Sequence, residues 1–478
     1  MIKKFLTYGI GSIGSAAISF FTVPFITRVL SPDNYGKGTL YITIITLLFY
    51  ISNAGLDMGY MRFFYEKKTR EEQVRLFYQC LIIVLSLAFF ISVNFFFFRC
   101  NILDFFFQSN SFVLYLSIIC GLTLYILNRF IMLSIRMQQK AFLYSLAQIL
   151  NSIGYLIGLF VFYYIFKIFS FKLIIYSQLI SLSAVSLFLI LLDLDRWKVV
   201  KYFDSSVFYK GSLKEIFKYS WPFIFSFITI WGMQYIDRLF LIKYGSFYEL
   251  GIYSASFTLI APLVVLQSTF GTMWVPIGNK LLLHTSKKAK VIYSFLYQNL
   301  MSLFFVGMLF VFLFREPLSW ILGEKFREAI NIFMWLLFIP FFNLLGQLLN
   351  AGIIKTKKTM WNIWASILGF LANIISCFIF IPMLGAEGAA LSLVIGSLVF
   401  FLVKMYSNQY LFPYRLNNKF SILNIVLFCI LFVISREENL GVIIYFICFL
   451  IFLLQLTFLF KKKNIQSFKL LKKTLNKI

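Results

Sequence analysis

The chain has 478 residues, of which 61% are hydrophobic and only 13% are charged, and its mean hydropathy is +0.87. A water-soluble protein of this length has no means of hiding so much apolar surface, so the excess must face lipid. The formal net charge is +26, but the Lys and Arg residues lie mostly in short connectors between apolar runs. This arrangement is typical of topology signals and of contacts with membrane lipids, and we expect no nucleic-acid partner.

The apolar runs predict an all-α integral membrane protein with about 14 transmembrane helices, since a helix needs about 20 mostly apolar residues to cross a bilayer. The first run is interpreted as a span rather than a signal peptide, because it continues past Pro24. The predicted spans are 5–28, 38–60, 76–98, 111–134, 142–166, 172–192, 219–242, 251–274, 291–314, 331–353, 360–381, 386–406, 420–435 and 440–460.

A long polar connector at 193–218 separates six predicted spans from the eight that follow. The segments KKFLTYG at 3–9 and KEIFKYS at 214–220 resemble each other, and each leads into a span with an Arg near its outer end. Repeated halves with the site between them are a common transporter plan. The expected organisation is a first six-helix bundle at 1–192, a second at 219–407, two additional helices at 408–460 and a basic tail at 461–478.

The distribution of Lys and Arg predicts the orientation of the chain. With the N-terminus in the cytoplasm, 32 of the 44 lie on the cytoplasmic side and 9 on the opposite side. The remaining three, Arg28, Arg129 and Arg238, fall inside spans. This strong bias follows the positive-inside rule, so we expect both termini in the cytoplasm.

The motifs of several common enzymes are missing from the sequence. No phosphate-binding G-x-x-x-x-G-K-[ST] loop occurs, His284 is the single histidine, and the six Cys form no C-x-x-C pair. We therefore expect no metal, no catalytic residue and no bound cofactor. A membrane polymerase, ligase or glycosyltransferase stays as the alternative from another class, although the outward connectors are short.

Asp237 and Arg238 stand side by side within IWGMQYIDRLFLIKYG at 230–245. Burying one ionised side chain at the bilayer centre costs about 2.5–17 kcal/mol, and neighbouring helix positions point about 100° apart, so the two do not pair face to face. Either both extend outward from the last turns of the span, or Arg238 lines a cavity while Asp237 bonds to a neighbouring helix. In the second case Arg28 presents a symmetric guanidinium, and the cargo is anionic.

Other polar residues within or near spans are weaker candidates. Asp57 and Arg62, near the inner end of the second span, predict an interfacial ion pair or a gate, and Arg129 predicts an interfacial anchor or a third cavity cation. Glu387 opens the twelfth span, where an acid favours a helix N-terminus; with Asp57, Arg62 and Asp237 it is a candidate gate or coupling group. The amides within spans predict interhelical hydrogen bonds, and a few of them contacts with sugar hydroxyls. These are Asn53, Asn128, Gln148, Asn151, Gln234, Asn343, Gln347, Asn350 and Asn373.

Four short patterns follow one another along the predicted spans. They are VLSPDNYGKGTLYI at 29–42, YIDRLFLIKYGSFYELGIYSASFTL at 235–259, ILGEKFREA at 321–329 and PMLGAEGAALS at 382–392. Their order resembles that of Wzx-type flippases for O-antigen and other polysaccharide repeat units. These flippases belong to the multidrug/oligosaccharidyl-lipid/polysaccharide (MOP) exporter superfamily.

The resemblance implies a pair of six-helix bundles around a central cavity, with two peripheral helices. The implied cargo is an undecaprenyl-diphosphate-linked oligosaccharide, moved from the cytoplasmic to the periplasmic leaflet of a bacterial inner membrane. A proton or sodium gradient would drive transport, with coupling by a carboxylate such as Asp57 or Asp237. A polysaccharide polymerase and a chain-length regulator of the same pathway are the implied partners.

Two rivals share the implied fold. A peptidoglycan-precursor flippase is expected to carry a dense Arg cluster in its early spans, and this sequence shows none. A drug antiporter is expected to carry carboxylates deep within spans, and this sequence is poor in them. Both functions remain alternatives at this point.

Overall fold

The computed structural model describes residues 2–194, 210–284 and 286–414, and these residues are helical with no β-strand among them. The last two predicted spans, the basic tail and most of the polar connector lie outside the described residues. Compactness divides the chain into one unit ending at Thr258 and another beginning at Leu259. The bundle boundaries at 192 and 219 stay a prediction, because compactness does not assign helices to bundles.

The helices of the first unit begin in the order expected from the apolar runs. They are α1 Ile2–Val29, α2 Pro32–Asn53, α3 Leu56–Phe64, α4 Arg70–Phe97, α5 Arg99–Phe107, α6 Phe112–Met137, α7 Ala141–Phe160, α8 Lys172–Leu192, α9 Lys210–Ser220 and α10 Phe223–Tyr244. A π-helical turn, Val161–Ile165, continues α7. The next helix, α11 Phe247–His284, starts in the first unit and ends in the second.

The second unit continues with helices of mixed length. They are α12 Ser286–Leu313, α13 Arg315–Ser319, α14 Ala329–Leu336, α15 Phe338–Leu348, α16 Ala351–Thr356 and α17 Met360–Leu411, with a 3₁₀ turn at Glu324–Phe326. Helices α14 to α16 together form one apolar stretch, Ala329–Thr356, that is long enough to cross a membrane.

The all-α membrane fold expected from the sequence is confirmed. Within the described ranges, nine helical segments are long and apolar enough to cross a membrane, and the bent pair α2 and α3 makes a tenth. Helix α10 has 22 residues and contains Gln234, Asp237 and Arg238, and it is not among these segments. Each of the first twelve predicted spans overlaps a described helix, a series of consecutive helices, or one arm of α17.

Helix α17 is two antiparallel helices joined by a sharp turn. Its 52 residues would extend about 78 Å if straight, more than twice the hydrocarbon thickness of a bilayer. The backbone leaves helical geometry at Gly385, with φ 54° and ψ −126°. A Cβ on Gly369 would lie 2.9 Å from the carbonyl oxygen of Gly396, so the two arms lie against each other. The chain therefore crosses twice here, as the spans 360–381 and 386–406 predicted.

The second predicted span is not one continuous helix. Helices α2 and α3 meet at an angle of 55°, and Ala54 and Gly55 between them have φ values of 47° and 76°. Left-handed backbone costs a residue with a Cβ about 1 kcal/mol or more, whereas Gly adopts it freely. A Cβ on Gly55 would also lie 2.3 Å from the carbonyl oxygen of Ser220, at the end of α9. The span predicted at 38–60 is therefore bent within its length.

Two glycines bring the start of α2 against the start of α11. A Cβ on Gly36 would lie 2.3 Å from the carbonyl oxygen of Phe247, and a Cβ on Gly251 would lie 2.0 Å from that of Pro32. Small residues allow this backbone-to-backbone approach in membrane helices. The patterns at 29–42 and 235–259 that carried the family resemblance therefore form one helix–helix interface.

We expect Gly251→Ala to lower the melting temperature and the yield of folded protein in detergent, because the added Cβ overlaps the Pro32 carbonyl and pushes α2 away. The matched control is Gly307→Ala in α12, where a Cβ meets no atom within 4 Å. That change should leave the melting temperature unchanged or raise it, since Ala is favoured over Gly in a helix by about 0.5–1 kcal/mol. Equal melting temperatures for the two variants would show that the approach is not tight.

Candidate functional site

Helices α2 and α10 lie side by side and run in opposite directions. Three contacts join them: Thr43 with Arg238, Thr46 with Trp231, and Tyr50 with Phe227. From one contact to the next, the residue number increases on α2 and decreases on α10, so the two helices are antiparallel. This is expected for spans that cross the membrane in opposite directions. The contacting residues on α2 recur at intervals of three and four, so they share one helical face.

Arg238 is buried on this face with neutral neighbours. Its side chain is 8% exposed, and its Nη1 donates to the Thr43 hydroxyl at 3.1 Å. The guanidinium carbon lies 4.9 Å from the ring centre of Tyr235 and 5.7 Å from that of Phe257, within the range of cation–π attraction. In the described part of the chain no carboxylate forms a salt bridge with Arg238, and its buried Nε has no hydrogen-bond partner. The Nε of Arg238 is therefore a buried donor with no acceptor among the described residues.

Asp237 is fully buried and points to a different helix from Arg238. Its Oδ2 accepts a hydrogen bond from the Tyr253 hydroxyl on α11, and its Oδ1 accepts from the backbone N–H of Arg238 at 3.0 Å. Tyr253 is the tyrosine of the Gly-x-Tyr pattern that begins at Gly251. Because Asp237 and Arg238 are both buried, they do not extend outward from the end of the span.

Arg28 does not share the surroundings of Arg238. It is exposed at the last turn of α1, and its Nη1 donates to the carbonyl oxygen of Pro24 in the same helix at 3.1 Å. The two guanidiniums are therefore not a symmetric pair in this structure. A contact between Arg28 and the cargo stays a prediction.

A second charged cluster forms at the bend between α2 and α3. The Asp57 carboxylate is buried, and its Oδ1 accepts from Asn53 Nδ2 at 2.8 Å and from the Met58 backbone N–H at 2.9 Å. Its Oδ2 lies 4.0 Å from Nη2 of Arg129 on α6, whose side chain is 52% exposed. The Asp57 carboxylate at the bend thus has an ion-pair partner, whereas Arg238 has none among the described residues.

The predicted ion pair between Asp57 and Arg62 was wrong. Arg62 instead pairs with Glu66, and both side chains are exposed. The reason is geometric, because five helical positions amount to about 140° of net rotation and place the two residues on different faces of α3. A residue four positions further along, by contrast, lies on the same face as Arg62.

Glu387 belongs to the second unit. It lies in the first turn after the break at Gly385 and is half-buried. That position agrees with an acid near a helix N-terminus. Its part in gating or coupling stays a prediction.

A cavity of about 360 Å³ inside the first unit escaped the sequence analysis. Helices α1, α2, α7, α8 and α11 contribute its lining. Ten of the fifteen lining residues carry a hydroxyl or amide group, and none carries a formal charge. Only Asn151 among them was singled out from the sequence, because isolated Ser, Thr, Tyr and Gln residues on distant helices form no pattern along the chain.

Lys404 in the second unit was also missed. It was counted among the cytoplasmic cations, yet it is only 3% exposed and its Nζ donates to the side-chain oxygens of Asn350 and Asn362. No carboxylate pairs with it in the described residues. Its contacts join the starts of α16 and α17 to the second arm of α17.

The sequence of the first 282 residues matches the model of a known family, described as polysaccharide biosynthesis protein. The chain belongs to this family. The matched segment contains α2, α10 and the part of α11 that carries Tyr253, so it includes both Arg238 and Asp237. The predicted resemblance is confirmed at the level of the family.

One curated relative and two solved structures are similar to the chain. The capsular polysaccharide biosynthesis protein CapF of Staphylococcus aureus is 29% identical over 244 residues, which cover 47% of this chain and 60% of CapF. A lipid II flippase MurJ, in an inward closed conformation, aligns with a TM-score of 0.66 at 15% identity, covering 94% of this chain and 98% of that one.

An inward-facing multidrug MATE transporter of the MOP superfamily aligns with a TM-score of 0.62 at 16% identity, covering 84% of this chain and 94% of that one. At such identities the two structural alignments show the fold alone. The chain therefore has the fold of the MOP superfamily, as the resemblance implied. The part of CapF that the chain matches is less than two thirds of that protein.

The Asp237–Tyr253 bond predicts a measurable coupling. Tyr253→Phe leaves a buried carboxylate oxygen without its donor, which should lower the unfolding free energy by about 1–3 kcal/mol. In an Asp237→Leu background the same change should cost much less, as thermal or denaturant unfolding in detergent would measure. The control is Tyr65→Phe, at an exposed tyrosine that donates to the carbonyl of Met137 at 2.8 Å. An equal cost of Tyr253→Phe in both backgrounds would contradict the bond.

Proposed function

We propose that the chain is a transporter, not an enzyme, and that it flips a lipid-diphosphate-linked oligosaccharide between membrane leaflets. The cargo would be carried on undecaprenyl diphosphate, for O-antigen, capsule or exopolysaccharide synthesis. Movement would run from the cytoplasmic to the periplasmic leaflet of a bacterial inner membrane, with both chain termini in the cytoplasm. Membership of the polysaccharide biosynthesis family and the MOP-type fold support this proposal.

The observation that carries the proposal is the buried, unpaired guanidinium of Arg238. A diphosphate has to lose hydration when it enters the membrane region, and ionised donors replace that hydration best. Arg remains protonated in any protein environment and binds phosphate oxygens with two parallel hydrogen bonds. Because Asp237 is already engaged by Tyr253, it does not neutralise Arg238 with a side-chain salt bridge. An anionic headgroup supplies the missing countercharge.

The family match distinguishes the proposed function from the other functions found on this fold, which are peptidoglycan-precursor flipping and drug export. MurJ and MATE transporters share the fold at 15% and 16% identity, which does not select a cargo. The family model and the similarity to CapF both point to polysaccharide synthesis. A polymerase or ligase would transfer glycosyl groups and is not favoured by the transporter fold.

Transport would proceed by alternating exposure of the headgroup site, while the lipid tail stays in the bilayer. An ion gradient would drive the cycle, and Asp57 and Asp237 are the candidate coupling groups because both are buried carboxylates within or beside spans. A polymerase and a chain-length regulator would receive the flipped repeat unit. Both partners are inferred from the proposed cargo.

The test replaces the gene in its own host with variants and measures surface polysaccharide. Arg238→Ala should reduce surface polysaccharide at least about tenfold while membrane levels of the protein stay within about twofold, because one charge-assisted contact is worth about 1.5–3 kcal/mol. Arg238→Lys should restore only part of the export, since Lys lacks the planar fork. In the Arg238→Ala strain, the lipid-linked oligosaccharide that is not exported should accumulate.

Arg70→Ala is the control, because Arg70 is an exposed arginine that pairs with Asp193 outside every candidate site, and the variant should export normally. Arg28→Ala tests whether the exposed guanidinium of α1 contributes as well. Normal export by Arg238→Ala would refute the phosphate role of this residue. Normal surface polysaccharide in a strain that lacks the gene would refute the proposed function itself.

A further inference from the structure

The neutral cavity of the first unit has an unusual chemistry for a membrane protein. Its 360 Å³ volume lies within the range of small-molecule sites, about 300–1,000 Å³, and is of a size to hold one or two sugar rings. Two thirds of its lining residues are hydroxyl- or amide-bearing, and the rest are Val, Ile and Leu. Polar side chains are costly in a membrane interior unless something satisfies their hydrogen bonds.

Three side chains at this cavity keep unused hydrogen-bonding groups. The Oδ1 atom of Asn151 is buried without a partner, although its Nδ2 lies 3.5 Å from Asn128 Oδ1. Tyr155 and Gln178 make no side-chain hydrogen bond with the described part of the chain. The cavity thus presents a phenol and a complete amide, and Asn151 in its wall holds a buried acceptor that no described group satisfies. The other lining hydroxyls bond to backbone carbonyls, as Ser181 does to Asn151 at 2.6 Å, or to one another.

This combination fits a sugar better than an ion or an apolar ligand. A cation would require carboxylates or several convergent carbonyls, and none of the lining residues carries a carboxylate. A lipid chain or an apolar drug would leave the amides and hydroxyls unsatisfied. Sugar hydroxyls are uncharged, and each both donates and accepts, so they match unpaired Asn, Gln and Tyr groups.

The cavity adjoins Arg238 along two helices. Thr39 lines the cavity, and Thr43, one turn later on α2, donates to the Thr39 carbonyl at 2.9 Å and accepts from Arg238 Nη1. On α11, Thr258 lines the cavity, and its neighbour Phe257 lies under the guanidinium. In the proposed cargo the diphosphate is joined directly to the first sugar, so neighbouring anionic and neutral subsites are the expected arrangement.

We infer that this cavity is the subsite for the sugar next to the diphosphate, with Asn151, Tyr155 and Gln178 bonding its hydroxyls. The inference rests on the proposed function and deepens it, because it assigns the recognition of sugar to a place separate from the phosphate contact. Arg238 recognises the part common to all such carriers. The neutral cavity discriminates between carriers with and without a sugar.

The experiment measures binding to the purified full chain in lipid nanodiscs with two probes. One is undecaprenyl diphosphate, and the other is undecaprenyl diphosphate bearing the oligosaccharide that accumulates in the deletion strain. Gln178→Leu and Asn151→Leu should weaken binding of the sugar-bearing probe about tenfold and change binding of the bare probe less than about twofold, as expected for lost hydrogen bonds. Arg238→Ala should weaken both probes.

Gln148→Leu is the matched control. Gln148 is half-buried like Gln178, lies one turn before Asn151 on α7, and accepts from Ser12 outside the cavity at 3.4 Å. It should bind both probes like the wild type. Tyr155→Phe removes a single hydroxyl and keeps the ring, so it tests the cavity if a Leu variant fails to fold.

The outcomes separate the two proposals. If the wild type prefers the sugar-bearing probe and the cavity variants keep that preference, the sugar subsite is refuted while the proposed function stands. Equal wild-type affinity for the two probes also refutes the subsite. If the wild type binds neither probe, the proposed function fails and the subsite fails with it.

Discussion

A guanidinium buried among neutral groups is the constraint on which the first unit depends. Arg238 is held by one hydroxyl and two aromatic rings, while the carboxylate beside it is turned to Tyr253 on another helix. Those contacts require α2, α10 and α11 to lie close together. The required approach is possible because Gly36 and Gly251 allow backbone contact between α2 and α11. The patterns at 29–42 and 235–259 are thus parts of one assembly, in which close helix packing positions the charge of Arg238.

The two charged clusters of the first unit do different physical work. Asp57 and Arg129 oppose each other across the bend of the second span, so their net charge is zero and Asn53 satisfies part of the carboxylate. The desolvation cost falls mainly on Asp57, since Arg129 is 52% exposed, and the pair requires no ligand. Among the described residues, Arg238 bonds only to neutral groups and forms no salt bridge with the Asp237 carboxylate beside it. The first arrangement is suited to holding a bent helix in position, and the second to attracting an anion.

Hydropathy was sufficient to place the first twelve spans, because length and apolar composition are properties of a segment by itself. The directions of Asp237 and Arg238 also followed from helical geometry, since neighbours on a helix diverge. The ion-pair partner of Asp57 could not be predicted from the sequence. The left-handed residues Ala54 and Gly55 turn α3 away from the axis of α2. The partner, Arg129, lies on a helix more than sixty residues away along the chain. The burial of Lys404 did not follow from the sequence either, because burial depends on which helices pack against it.

Recognition by separate subsites fits the demands on a flippase. The proposed cargo has three chemistries, and each would be matched by a different environment: lipid for the tail, Arg238 for the diphosphate, and the neutral cavity for the sugar. A strong ionic contact gives affinity but no choice between carriers, because every carrier has the same diphosphate. Neutral hydrogen bonds contribute about 0.5–1.5 kcal/mol each, so a few of them discriminate by tenfold or more without holding the cargo so tightly that release becomes slow. Specificity in this chain is therefore expected to change through the hydroxyls and amides of α7 and α8, with the arginine kept.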